Sequence, residues 1–484
     1  MAGRPRAIGG PQLARLLGDL PAERPFYAVL ARAIRGLILD GGLALRVRLP
    51  AERDLAAALG VSRTTVTAAY DALRAESFIQ SRQGAGSWTA LPRGRGSRLP
   101  HATPGTVASF GLPEPEIDLG SAAPAAPKIF DETVADAVAE LPGHTAGPGY
   151  DPPGLGPLRE AIAARYAQRG LPTRPEQIIV TAGAQHALNL LIEELMTPGD
   201  SVLVESPTYP HALEALRRRG ARLIPVGVNA GWDVELIATS MRQTAVRFAY
   251  VNPDFHNPIG RLMDDGRRAA LVAAAKRAGA YLIADETFAE LSLDDDLVMP
   301  RPLAAYDTDG RVISIGSAAK VFWGGLRIGW IRATAPLARR LATLRESLDL
   351  ASPVLEQLIV RELLVRVDEV RAERVALLTA GREALVAALG DQLPEWEFTP
   401  PLGGMSLWVR LPAHVSSALA GAVARLGVRI VPGPLFGVDG LLDDYLRLPY
   451  VQPPGVLRDA VDRLARAYRG VETAAAPRSL PTYV

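Results

Sequence analysis

The chain has 484 residues, 48% of them hydrophobic: enough apolar mass for two or three packed domains and too long for one. It has no cysteine, which excludes disulfides and thiolate metal sites, and no run of about 18 apolar residues that would predict a membrane-spanning helix. The net charge of +1 hides a split: residues 1–98 hold 15 Arg against 7 acidic residues, a net of +8, and the other 386 carry −7, so a polyanion partner is expected for the first part alone.

Residues 1–24 are read as an N-terminal tail. The opening Met1-Ala2-Gly3-Arg4-Pro5-Arg6 has no apolar stretch behind it, so no secretory leader is expected; with zero cysteine this fits a cytoplasmic protein. The six histidines show no ligand spacing, so no metal is expected. Residues 26–39 repeat apolar positions at helical spacing and stop at Gly41-Gly42. Pro50 and two acids open a short helix that Gly60 closes. Ser62 then caps a third helix from Arg63, with Val66, Tyr70 and Leu73 on one face and Arg63, Thr64 and Thr67 pointing outward. Two short helices joined by Gly-Val-Ser form the helix-turn-helix pattern, whose second helix offers its first residues to base edges. Phe78–Thr89 reads as two strands around a Gly-rich turn, a wing.

The run Leu-Pro-x-x-Arg-x-Leu-Ala-x-x-Leu-Gly-Val-Ser-Arg-x-Thr-Val resembles the winged helix-turn-helix domain of GntR-type transcriptional regulators, over about residues 25–90. Leu45-Arg46 stands where the family has Pro-Gly, and Ser77 where it often has Gly. The resemblance implies binding to double-stranded operator DNA through Arg53, Ser62, Arg63, Thr64 and Thr65, with Arg82 and Gly84 in the wing. Residues 91–117 are rich in Pro, Gly and Arg and read as a linker.

From residue 118 on, Gln177–Thr181, Ser201–Glu205, Arg247–Val251, Ala280–Asp285 and Arg311–Ile315 look like buried strands separated by helical stretches. That predicts a mostly parallel α/β sheet with its site at the carboxyl ends of the strands. Thr181-Ala182-Gly183-Ala184-Gln185 opens a helix with small residues that suit an anion. Tyr209 follows the next strand, and Asn257 sits in the loop Asn252–Gly260. Asp285 ends an apolar strand, where a carboxylate is costly unless paired. Lys320 follows the last strand and is one of only three lysines, with Lys128 and Lys276. Arginine cannot replace an amine that must lose its proton and attack an aldehyde. Taken alone, Lys320 is equally a leftover surface lysine.

As a set these residues resemble the fold-type I pyridoxal-phosphate enzymes, the aspartate-aminotransferase family, over about residues 118–470. The resemblance implies pyridoxal 5'-phosphate held on Lys320 as a Schiff base, with Asp285 on the pyridine nitrogen, Asn257 on the phenolic oxygen and Tyr209 stacked on the ring. It implies a phosphate cup of Ala184, Gln185, Ser317 and Arg327, reached by Tyr150 from the partner subunit. Arg447 corresponds to the arginine that binds a substrate carboxylate. Two departures stand out: Phe288 where the family has a tyrosine, and Ala319 where it has a serine. The implied fold is α/β: a seven-stranded-type, mostly parallel sheet (about residues 150–350) with a smaller α/β C-terminal part (about 351–470) inside a body spanning 118–484.

The combination resembles the MocR/GabR group of bacterial regulators. It implies a head-to-tail homodimer that senses pyridoxal phosphate, or an amino acid or amine that forms an aldimine with it. The alternative is a working aminotransferase with a DNA-binding appendage.

Overall fold

The computed structural model describes residues 7–21, 23–82, 86–92 and 115–475. Gly84, the N-terminal six residues and most of the expected linker (93–114) lie outside the described residues, as does the side chain of Arg82.

The N-terminal unit is built from α1 (Gly10–Leu17), α2 (Phe26–Leu39), α3 (Glu52–Leu59), α4 (Arg63–Ala75) and the antiparallel pair β1 (Ile79–Arg82) and β2 (Gly86–Thr89). Leu30, Ile34, Leu55, Val66, Tyr70, Leu73 and Phe78 meet in its core. Gly60 ends α3 in the left-handed conformation at φ 65°, which glycine adopts at least cost. The Ser62 hydroxyl caps α4 by accepting from the Thr65 amide at 3.1 Å. Within residues 1–24, expected as a tail, α1 packs on α3 so closely that a Cβ on Gly10 would lie 2.5 Å from the Asp54 carbonyl oxygen.

After the linker come β3 (Ile117–Asp118), α5 (Phe130–Glu140) and α6 (Gly156–Gln168). Then follow β4 (Ile178–Thr181), α7 (Ala184–Leu195), β5 (Ser201–Ser206), α8 (Pro210–Arg218), β6 (Arg222–Gly227), α9 (Val234–Thr244), β7 (Phe248–Val251), α10 (Asp265–Ala278), β8 (Tyr281–Asp285), β9 (Val312–Ser317) and β10 (Gly329–Arg332). The sheet has seven strands in the order β4-β10-β9-β8-β7-β5-β6. Only β10 runs antiparallel to its neighbours. Alternate side chains feed two cores. Ile179, Val202, Phe248, Tyr250, Ile283 and Ile315 face one layer, and Val180, Leu203, Ala249, Leu282 and Ala284 the other. Because helices cover both faces, the strands are apolar throughout, which is why five of them were readable as continuous runs. The edge strand β6, with Pro225, and the four-residue β10 escaped that reading.

The C-terminal part contains α11 (Ala335–Glu346), α12 (Val354–Val365), α13 (Val367–Gln392), β11 (Ser406–Arg410), α14 (Ser416–Ala424), β12 (Val428–Arg429), β13 (Val431–Pro432), β14 (Tyr445–Pro449) and α15 (Pro454–Ala475). Its sheet is β11-β14-β13, and β12 pairs in parallel with β3, so the chain leaving the linker is anchored in this part.

The N-terminal unit rests on the body through α1, whose Arg15 pairs with Glu235 of α9 at 2.7 Å, and at the end of α2. The Leu442 amide donates to the Leu39 carbonyl at 3.1 Å, and the Asn229 side-chain amide donates to the Asp40 carbonyl at 2.9 Å. Gly227 lets the two backbones touch: a Cβ there would lie 2.6 Å from the Gly42 Cα. No helix among the described residues is long and apolar enough to cross a membrane.

Candidate cofactor and effector site

The parallel strands deliver their carboxyl ends to one edge of the sheet. Thr181, Ser206, Val251, Asp285 and Ser317 all end there, and the loops that follow carry the predicted residues. Lys320 lies in the single π-helical turn Ala319–Trp323 after β9. Its Nζ donates to the Ala122 carbonyl at 2.8 Å and stands 5.8 Å from the centre of the Phe288 ring. Burial, reinforced by the positive charge of Arg447 and opposed by Asp285, lowers the amine's pKa to about 8. A half-buried lysine near neutrality is a nucleophile in waiting.

Asp285 is nine-tenths buried and held by three donors. Tyr250 Oη donates to Oδ2 at 2.5 Å, the Thr287 amide donates to Oδ1 at 3.1 Å, and the Thr287 hydroxyl also donates to Oδ1. Tyr209 opens α8 and feels the charges of Asp285, Arg447 and Arg327, with burial pushing its hydroxyl up to about 12. These side chains therefore share one cleft.

An anion cup lies at the start of α7. Gly183, at φ 92°, precedes a helix end that no side chain caps, so the first-turn amides of Ala184 and Gln185 have no helical partner. A Cβ on Gly183 would sit 2.7 Å from an Arg327 guanidinium nitrogen, and Arg327 Nη2 donates to the Ala182 carbonyl at 2.9 Å. The Ser317 hydroxyl accepts from the Ala319 amide at 3.1 Å. Arg327 holds φ 51°, unusual for a side-chain-bearing residue.

Arg447, on β14, is only 7% exposed. It lies 5.3 Å over the Phe436 ring, donates from Nη2 to the Gly120 carbonyl and has a buried Nε without a partner. Burial lowers its pKa to about 10. An orphaned guanidinium N–H of this kind is costly unless an anion takes it. Gly120 and Ala122, both on the strap after β3, thus touch Arg447 and Lys320.

Asn257 stands half-buried in the loop after β7. Gln185 donates from its side chain to the His211 carbonyl at 3.3 Å and keeps a buried Oε1 without a partner. Tyr150 is 66% exposed. On the N-terminal unit, Arg53 and Arg63 are exposed, paired loosely with Asp54 at 3.2 Å and Glu52 at 3.4 Å. Thr64 is exposed and Thr65 half-buried, while the Ser62 hydroxyl is taken up by the cap.

Sequence reasoning missed Tyr250, Thr287 and the Gly120–Ala122 strap. Tyr250 reads as one more apolar strand residue, and the strap lies far from the site in sequence. Only Asp285-Glu286-Thr287 carried a signal, since a carboxylate readily binds the amide two residues on.

An amine, a carboxylate held by donors, an aromatic face and an anion cup suit the aldehyde, pyridine nitrogen, ring and phosphate of pyridoxal phosphate; an orphaned guanidinium remains for a carboxylate. Among the described residues no acidic or histidine cluster suited to a metal occurs.

Comparison with known proteins agrees. Residues 115–464 match the family model described as aminotransferase class I and II, and residues 26–88 match that of bacterial regulatory proteins of the gntR family. The uncharacterized HTH-type transcriptional regulator YisV of Bacillus subtilis is 27% identical over 89% of this chain and 93% of its own length. The "Probable rhizopine catabolism regulatory protein MocR" of Rhizobium meliloti is 33% identical over 67% of this chain and 68% of its own. The solved structure of LysN, an alpha-aminoadipate aminotransferase from Thermus thermophilus complexed with N-(5'-phosphopyridoxyl)-L-leucine, is 30% identical, with a TM-score of 0.68 over 74% of this chain and 93% of that one.

Proposed function

For a chain that belongs to the class I and II aminotransferase family and carries a GntR-type winged helix, the MocR-type architecture, we propose the function of a pyridoxal-phosphate-dependent, DNA-binding transcriptional regulator. One observation carries this over an aminotransferase with an appendage. The end of α2 rests on Ser206, the last residue of β5 before Tyr209, and on Leu442, in the loop that leads to Arg447. The DNA-binding unit therefore touches the segments that carry Tyr209 and Arg447.

Pyridoxal phosphate supplies an aldehyde that condenses with amines and a ring that withdraws electrons. In this reading Lys320 offers the amine, Asp285 takes the ring nitrogen's proton as a hydrogen bond, Asn257 binds the phenolic oxygen and Tyr209 covers the ring. The Ala184 and Gln185 amides, Ser317 and Arg327 bind the phosphate. Arg447 takes the carboxylate of an amino-acid effector, replacing the Gly120 carbonyl as its partner. Arg53, Arg63, Thr64, Thr65 and the wing with Arg82 and Gly84 face DNA.

The protein acts as a homodimer, arranged head to tail. The exposed Tyr150, Leu348 and Leu350 support a partner on this face; Arg345, beside the latter two, binds the Pro152 carbonyl at 2.9 Å. Tyr150 then reaches the partner's phosphate. An effector shifts the docked and undocked arrangements only by its differential affinity for them. Phe288 lacks the hydroxyl of a family tyrosine, which favours sensing over turnover.

The test is fluorescence anisotropy on DNA from upstream of the protein's own gene, with apo-protein, with pyridoxal phosphate, and with a panel of amino acids and amines. Saturable binding altered by cofactor or amine is expected. Absence of binding in every condition, with steady transamination of an amino acid, would establish the enzyme reading instead.

A further inference from the structure

Tyr250 lies in the middle of β7, opposite Ile283 on β8, and is fully buried among Phe248, Ile283, Ile313 and Ile315. A hydroxyl in such a layer is costly without a partner. The Oδ2 atom of Asp285, 2.5 Å away, is that partner. A carboxylate offers about four acceptor sites, two on each oxygen. The Thr287 amide and hydroxyl occupy both on Oδ1, and Tyr250 occupies one on Oδ2. A single site remains, on Oδ2.

We propose that Tyr250 is a positioning residue for the cofactor: its hydroxyl fixes the Asp285 carboxylate so that Oδ2, and not Oδ1, meets the ring nitrogen. The inference rests on the cofactor reading above and goes beyond it by naming the oxygen and the residue that selects it. Tyr250 is a fit anchor because it is carried by the central sheet and not by a loop. Burial and the charge of Asp285 hold its proton in place far above the usual tyrosine range, so it stays a donor throughout the working pH range.

The experiment separates this role from a general structural one. Apo-protein is titrated by tryptophan fluorescence with pyridoxal phosphate and with its carbocyclic analogue, in which C–H replaces the ring nitrogen. Wild type is compared with Tyr250→Phe. Loss of one hydrogen bond to a charged group predicts a roughly tenfold higher dissociation constant for pyridoxal phosphate in the variant. For the analogue, which has no ring N–H to present, the ratio is expected near one. In an Asp285→Asn background the substitution is expected to add nothing. Equal losses for both ligands, an equal loss in the Asp285→Asn background, or no loss for pyridoxal phosphate overturns the proposal while leaving the cofactor reading intact. Wild-type protein that binds neither ligand overturns both.

Discussion

At the scale of single residues, the chemistry turns on how one amine is kept near neutrality. Lys320 is lowered to about 8 by burial first and by Arg447 second, against the pull of Asp285. The folded amine thus holds its proton less tightly than the unfolded one. Between about pH 8 and the usual lysine range the unfolded state binds more protons, so stability rises with pH across that window. The same shift governs cofactor capture. The visible absorbance gained on adding pyridoxal phosphate to apo-protein is expected to rise with pH through a midpoint near 8 and then level off. Arg447→Leu removes a repelling charge, so its midpoint is expected to move upward; an unmoved midpoint would show that burial alone sets the amine. Lys320 was legible in the sequence because arginine had replaced lysine almost everywhere else. Tyr250 was not, because a hydroxyl on a strand buried along its whole length leaves no trace in a continuous apolar run. Nor was the bond from Lys320 to Ala122, which joins residues 198 positions apart.

At the scale of elements, the winged helix divides its polar residues between holding itself together and facing DNA. Ser62 and Arg63 are neighbours, and the sequence offers both as DNA contacts. The structure separates them. Ser62 spends its hydroxyl on the Thr65 amide, while the Arg63 side chain is 72% exposed. Ser62→Ala is therefore expected to cost the N-terminal unit about 1 kcal/mol, read from its urea unfolding midpoint, with the salt dependence of DNA binding unchanged. Arg63→Ala is expected to leave the midpoint alone, weaken binding, and lower the slope of log affinity against log salt by about one if the guanidinium meets a phosphate. Here α2, α3 and α4 were readable because the Ser62 cap and the glycines after α2 and α3 bound them at fixed offsets, whereas α1 lay in the expected tail. In the body, β6 and β10 were hidden because an edge strand with Pro225 and a short antiparallel strand lack the long apolar run of a strand buried in a parallel sheet. The pocket was legible all the same, since the cofactor's candidate ligands follow β4, β5, β7, β8 and β9, the strands with the clearest signal.

At the scale of the whole molecule, the question is what makes the DNA-binding unit dock and release. The contact includes the Arg15–Glu235 ion pair between α1 and α9, and at the end of α2 it has a titratable group in it. Asp40 ends α2, accepts from the Gly42 amide at 3.0 Å and is raised to about 6 by burial, with Asp444 adding to the rise and Arg410 opposing it. An undocked Asp40 returns to the ordinary carboxylate range of about 3.9. The docked state therefore binds more protons between about pH 4 and 6, so docking is strongest below that window and weakens as pH rises through about 6. The Leu442 amide, bonded to the Leu39 carbonyl across the contact, reports on it by hydrogen exchange. Its protection, corrected for intrinsic exchange, is expected to fall as pH rises through about 6 in the wild type and to stay flat in Asp40→Asn, whose neutral side chain can still accept from Gly42. Gly227→Val supplies the undocked reference, since its branched side chain needs the space of the Gly41 and Gly42 backbone and is expected to lose Leu442 protection at every pH. Were Leu442 equally protected in that variant, the amide would be held by the body alone and the contact would carry no signal. If protection falls as expected, a cofactor or effector that moves Ser206 or Leu442 acts on the DNA-binding unit through this contact, and shifts it by its difference in affinity between the two arrangements.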